Sequence, residues 1–142
     1  MSKSFRFYAP VKVRFNETDR LGHVNFGNYY FYFDVAVEAY LDAVGYDYLT
    51  MQAEGVEFVY VESHCNYKAE VKWPEILNVY ARIGHIANRS FRFEFEILAE
   101  IDSRLVATGH IVGVTVDLDS FEPRRVPDGL RQAVATYEAG GD

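Results

Sequence analysis

The sequence predicts an α+β arrangement in which one long helix packs against an antiparallel sheet. Apolar residues recur at three and four positions from about Asn28 to Gly45, as on the buried face of a helix. Four later runs are rich in β-branched and aromatic residues, as strands are. Short turn signals at Trp73-Pro74-Glu75, Ala87-Asn88-Arg89 and Asp102-Ser103-Arg104 make those strands antiparallel neighbours. With 142 residues, 49% hydrophobic and 16% aromatic, the chain suits one compact unit (1–142) with a sizeable core.

Taken in order, Phe5 to Phe15 alternates loosely and reads as a first strand interrupted near Pro10. A polar, glycine-bearing loop follows, Glu17-Thr18-Asp19-Arg20-Leu21-Gly22-His23-Val24-Asn25. In the helix the periodic positions are Tyr29, Phe33, Ala36, Val37, Tyr40, Leu41 and Val44, with Asn28 and Gly45 as start and stop signals. Tyr30, Phe31 and Tyr32 make its first turns apolar nearly all round, which predicts burial on several sides, as for a helix wrapped by a sheet. A short connection from Tyr48 to Gly55 leads into strands at Val56 to Lys68, Ile76 to Ile86, Phe91 to Ile101 and Leu105 to Asp117. The third of these four places Phe91, Phe93, Phe95, Ile97 and Ile101 on one face and Arg92, Glu94, Glu96 and Glu100 on the other. Gly109 and Gly113 share a face of the last strand, where they either admit a close neighbour or mark a bulge. Val126 to Glu138 starts near Pro127 and carries Leu130, Val134 and Tyr137, so a short amphipathic helix closes the chain, with Ala139 to Asp142 frayed.

Charge and composition exclude several functions. The net charge of −7 and the lack of a basic stripe argue against a general nucleic-acid binder. No apolar run approaches the roughly 20 residues that span a bilayer, so no membrane association is expected. The first residues carry no apolar signal core and Cys65 has no partner for a disulfide, which makes the cytoplasm the expected compartment. Cys65 reads as a small buried residue. His64, His85 and His110 lack metal-ligand spacing, so no metal site is expected.

The chemistry concentrates in the loop before the helix. A carboxylate just ahead of a helix start, as Asp19 is, stands where the first backbone N–H groups can hold a developing oxyanion while the carboxylate attacks or activates water. The alternative for Asp19 is a turn residue bonding its own backbone. Glu17, two residues earlier, reads as solvated and takes no role. Asp34 and Glu38 lie one helical turn apart, and either one of them faces a pocket in a differently arranged active site or the two form a solvated strip or an interface pair.

The stretch Arg14-Phe15-Asn16-Glu17-Thr18-Asp19-Arg20-Leu21-Gly22-His23-Val24-Asn25-Phe26-Gly27-Asn28-Tyr29-Tyr30 resembles the signature of 4-hydroxybenzoyl-CoA thioesterase-like enzymes, including the broader bacterial acyl-CoA thioesterases. Asn88-Arg89-Ser90-Phe91 is similar to that family's turn into its long strand, and Glu122-Pro123-Arg124-Arg125-Val126-Pro127 to its approach to the final helix. The order of elements resembles the hotdog fold, a five-stranded antiparallel sheet wrapped around one long helix. The resemblance implies hydrolysis of an acyl-CoA or aryl-CoA thioester to acid and CoA. It implies Asp19 as nucleophile or general base, the backbone of Phe26, Gly27 and Asn28 as the oxyanion site, and His23, Tyr29, Arg89 and Ser90 at the substrate. Some relatives carry histidine where this chain has Phe26, which removes a second acid–base group. Lys68, Lys72, Arg124 and Arg125 are weaker candidates for the CoA phosphates. The resemblance implies no cofactor beyond the CoA of the substrate, and a homodimer that pairs into a homotetramer. Two other activities suit such a chain: hydration or dehydration of an enoyl-CoA, and non-catalytic acyl-CoA binding.

Overall fold

The computed structural model describes residues 5–140. Five strands, β1 (Phe7–Lys12), β2 (Val56–Tyr67), β3 (Ile76–Ile86), β4 (Ser90–Ala99) and β5 (Leu105–Asp117), form one antiparallel sheet in the order β1-β3-β4-β5-β2. Helix α1 (Asn28–Val44) lies in the concave face, α2 (Tyr48–Ala53) links it to β2, and α3 (Asp128–Glu138) closes the chain. This is the hotdog arrangement.

Helix α1 begins at Asn28 and stops at Gly45, whose left-handed φ of 88° a side chain rarely adopts. Its Tyr29, Tyr32, Phe33, Ala36, Val37, Tyr40 and Leu41 are buried. Each large apolar side chain among them contributes about 1.5–3 kcal/mol by leaving water. Phe33 stacks on Phe95 of β4 with ring centroids 4.3 Å apart. Gly109 explains that approach, because a Cβ there would lie 2.7 Å from the Phe33 ring; the glycine admits the helix and does not mark a bulge. The wrapping is incomplete, however. Phe31 is 67% exposed and Val35 49%, so one side of α1 is open in a single chain.

Four further expectations need correction. Pro10 does not interrupt β1, since that strand is a sheet edge and a missing N–H costs little where no neighbour pairs. The strand ends at Lys12, and Phe15 opens a short 3-10 turn (Phe15–Glu17). Ile101 leaves the apolar face because β4 ends at Ala99 after a register shift beyond Ile97. The link after α1 is partly helical because the Asp47 side chain caps α2 by accepting from the Thr50 N–H at 2.8 Å. Of the frayed tail, Gly141 and Asp142 lie outside the described residues.

Candidate active site

The loop from Glu17 to Asn28 is held by its own polar groups. Glu17, expected to be solvated, is 12% exposed and acts as the knot. Its carboxylate accepts from the Arg14 backbone N–H (2.8 Å), the Arg14 guanidinium (3.0 Å) and the Tyr32 hydroxyl (2.9 Å). Burial pushes the Glu17 carboxyl up, but these donors outweigh it and hold it below the usual carboxylate range. The Glu17 carbonyl accepts from the Asn25 N–H (2.9 Å) and the Asn28 side-chain amide (2.8 Å), which ties the loop to the start of α1.

Asp19 is exposed and joins both readings of a loop aspartate. Its Oδ1 accepts from the Leu21 N–H at 2.9 Å and the His23 N–H at 3.3 Å, as a turn residue does. Its other carboxylate oxygen has no protein partner among the described residues. The turn is tightened by Gly22, at φ +83°, whose N–H donates to the Asp19 carbonyl. The carboxylate is therefore oriented through one oxygen and available through the other.

At the helix start the three expected donors are unequal. The Gly27 N–H donates to the Asn25 side chain (3.1 Å) and the Asn28 N–H to the Asn25 carbonyl (3.0 Å), so both are taken. Gly27 and Asn28 thus leave the expected oxyanion set, because Asn25 caps this turn. The Phe26 N–H has no acceptor among the described residues.

Asp19, His23, Phe26 and Tyr29 line one cleft of about 450 Å³, together with Val24, Asn25 and the segment Tyr67-Lys68-Ala69-Glu70-Val71. Val24, Tyr29 and Val71 are its buried wall, while Asp19, Phe26, Lys68 and Glu70 are exposed at its rim. The His23 ring turns to Glu70 (Nδ1 to Oε1, 3.3 Å), so its side chain faces the far wall while its backbone holds Asp19. Tyr67 packs its ring edge-on to Tyr29 (4.9 Å) and donates its hydroxyl to the Phe26 carbonyl at 3.0 Å. Tyr29 is 4% exposed, and burial, with the nearby Cys65, Glu70 and Glu75, pushes its phenol up to about 12.

The wall opposite Asp19 is fastened from the sheet. The Val24 N–H donates to the Val71 carbonyl at 2.8 Å. Arg104, from the β4–β5 turn, donates to the Glu70 carbonyl (3.0 Å) and the Glu75 carboxylate (2.7 Å). Sequence reasoning missed Glu70 and Tyr67 and underrated Lys68. Nothing local marks them, because the β2–β5 pairing, the Val24–Val71 bond and the Arg104 tie that bring 67–71 beside the loop all join residues far apart in sequence.

Arg89 and Ser90 are not brought to this cleft within one chain. Ser90 pairs with Val114, whereas Tyr67 pairs with Ala107, seven residues away along β5 and so roughly 23 Å at strand rise. Asp34 lines a separate cleft of about 470 Å³ with Tyr30, Phe31, Tyr60 and Val61, where its carboxylate accepts the Tyr60 hydroxyl at 2.7 Å. His64 and His110 stack across β2 and β5 at 5.4 Å, and His110 pairs with Glu62 at 2.6 Å. Among the described residues no group of three His, Cys, Asp or Glu is placed to hold a metal, and no helix is long and apolar enough to cross a membrane.

Residues 13–134 match the thioesterase-like superfamily. In sequence the chain is 28% identical to the uncharacterised protein YsmA of Bacillus subtilis over 119 residues, 82% of this chain and 77% of that one. In structure it resembles the DHNA-CoA thioesterase of Staphylococcus aureus, with TM-score 0.84 and 25% identity, over 93% of this chain and 90% of that one. It also resembles the PA5185 protein of Pseudomonas aeruginosa strain PAO1, with TM-score 0.83 and 32% identity, over 94% and 92%.

Proposed function

The chain belongs to the thioesterase-like superfamily of hotdog thioester hydrolases, and on that premise we propose that it cleaves an acyl-CoA or aryl-CoA to the free acid and CoA, using Asp19. The observation that carries this reading is the half-engaged Asp19 carboxylate, fixed through Oδ1 and, among the described residues, free at its second oxygen, in the same cleft as Phe26, whose N–H has no acceptor among them.

The chemistry follows either of two routes. In one, the free oxygen of Asp19 adds to the thioester carbon, the oxyanion accepts the Phe26 N–H, and the C–S bond breaks to leave an acyl-aspartyl anhydride and CoA thiolate; water then hydrolyses the anhydride. In the other, Asp19 takes a proton from water as the hydroxide adds to the carbonyl, and that proton passes to the departing thiolate. Both leave acid and thiol, and neither needs a cofactor or metal. A single turnover in ¹⁸O-water tests the first: label in the Asp19 carboxylate, left when water attacks the aspartyl carbon of the anhydride, arises by that route alone.

Lys68 is the cation that lines the cleft within one chain, and we assign it to the CoA phosphates ahead of Arg89 and Ser90, which enter only through a neighbouring protomer. A second protomer fits edge β2. That strand has twelve residues with no proline, and Val59, Tyr60 and Val61 are 40%, 43% and 59% exposed beside the bare Phe31 of α1. We propose a homodimer through this edge, paired into a homotetramer; sedimentation as a monomer at micromolar concentration contradicts it. An acyl-CoA substrate and an unpaired Cys65 suit the cytoplasm.

The direct test is release of free thiol from a panel of acyl-CoA and aryl-CoA esters by wild type and by Asp19→Asn. Turnover by the wild type that is lost in a folded Asp19→Asn protein supports the reading. Enoyl-CoA hydration without thiol release, or CoA binding with no turnover, overturns it.

A further inference from the structure

Three tyrosines of α1 are buried, and two of them have carboxylate acceptors: Tyr32 donates to Glu17 at 2.9 Å and Tyr40 to Glu138. Tyr29 is the exception. It is 4% exposed, and its hydroxyl has no protein partner among the described residues. Nor is that hydroxyl sealed in the core, since it is not among the buried polar atoms that lack a partner, and the residue lines the Asp19 cleft. A hydroxyl on so buried a residue, open only towards the cleft and without a protein acceptor, points to a ligand atom that completes it.

The depth of Tyr29 says which part of a substrate that atom belongs to. Tyr29 lies inside α1, three residues beyond Phe26 of the turn that leads into the helix, and it is part of the buried wall while Phe26 is 70% exposed at the rim. A thioester carbonyl at the Phe26 N–H and a CoA arm leaving by the rim put the acyl group against Tyr29. The phenol remains protonated at neutral pH, so it donates and requires an oxygen acceptor.

We propose that Tyr29 is a specificity residue that selects acyl groups bearing an oxygen substituent, a ring hydroxyl or a 3-hydroxyl or 3-oxo group, over their plain hydrocarbon counterparts. The inference rests on the thioesterase reading above. Its cleft of about 450 Å³ suits a compact acyl or aryl group.

The test compares kcat/KM within two matched pairs, 4-hydroxybenzoyl-CoA against benzoyl-CoA and 3-hydroxybutyryl-CoA against butyryl-CoA, for wild type and Tyr29→Phe. In at least one pair the wild type prefers the oxygenated member by about tenfold, and Tyr29→Phe removes that preference by losing rate on that member only. The variant keeps the melting temperature of the wild type, because no protein hydrogen bond is lost. Equal loss on both members, or no change on either, overturns the proposal. If the wild type releases thiol from none of the esters, the thioesterase reading fails separately, and Tyr29 is judged by calorimetry with 4-hydroxybenzoate against benzoate. There a wild-type preference abolished in Tyr29→Phe upholds the donor role, and equal affinities overturn it.

Discussion

Two clefts of nearly equal volume, about 450 and 470 Å³, open beside the first turns of α1, and each contains an aspartate, tyrosines and an exposed phenylalanine. They differ in what their polar groups already do. In the second cleft Asp34 accepts the Tyr60 hydroxyl at 2.7 Å, and burial together with that bond pushes the Tyr60 phenol well above its ordinary range. That bond takes the Tyr60 proton and one oxygen of Asp34, no backbone N–H group orients the carboxylate among the described residues, and the surrounding Phe31 and Val61 are bare apolar surface. In the first cleft Asp19 is held by backbone N–H groups through one oxygen, and among the described residues Tyr29 has no acceptor and the Phe26 N–H none either. Composition does not separate a reactive cleft from a docking surface here; the state of the hydrogen bonds does. The first cleft has chemistry left to offer, and the second fits a neighbouring protomer.

The sharpest way to break that contrast is to exchange the two aspartates for asparagine. Asp19→Asn should lower kcat/KM for thiol release by about a thousandfold, in line with loss of a group that acts in the transition state. Asp34→Asn should leave it within about threefold. The reverse order would move the chemistry to the second cleft.

How far the sequence shows this contrast depends on the range of the interactions involved. The helix, the strand runs and the loop bearing Asp19 are legible because they rest on local period and on punctuation by Asn28 and Gly45. The Phe31 and Val35 face of α1 is not, since apolar residues all round a helix look alike whether a sheet or a second protomer covers them. Glu17 reads as solvated because nothing adjacent in sequence announces Tyr32 as its donor. Arg89 and Ser90 fit a short motif, but the register that sets them along β5 from the cleft is a property of the whole sheet. The two bonds that Asn25 accepts decide which helix-start N–H remains idle, and nothing in the sequence separates Asn25 from Asn28 as the residue that makes them.

Smaller effects test how each part of the first cleft is held. Arg104→Ala removes the tie to the Glu70 carbonyl and the Glu75 carboxylate, and should cost about 1–3 kcal/mol of stability in a denaturant titration. Because it loosens only the far wall, it should raise KM more than it lowers kcat, whereas an equal fall in kcat would tie Arg104 to the reacting groups.

Glu17→Gln addresses the near wall and carries a pH signature. The folded carboxyl of Glu17 sits below its unfolded value of about 4.3. Its ionised form therefore stabilises the fold above that pH, and the contribution is lost as pH falls through the lower folded value. Glu17→Gln should cost about 1 kcal/mol at neutral pH and flatten the acid limb of the stability profile followed by circular dichroism. An acid limb unchanged from wild type would mean that Glu17 is not the knot of the loop. The smallest effect belongs to the second cleft: Tyr60→Phe, at a 43% exposed site, should change stability by less than about 1 kcal/mol and leave thiol release unchanged.

The most direct test of the division between the clefts is a crystal structure with a ketone analogue of the substrate, 4-hydroxyphenacyl-CoA, in which a methylene separates sulfur from the carbonyl and blocks cleavage. The ketone oxygen should lie about 3 Å from the Phe26 nitrogen, with the free oxygen of Asp19 facing the carbonyl carbon. A ketone seated against Asp34 and Tyr60, or turned away from the Phe26 N–H, contradicts the account.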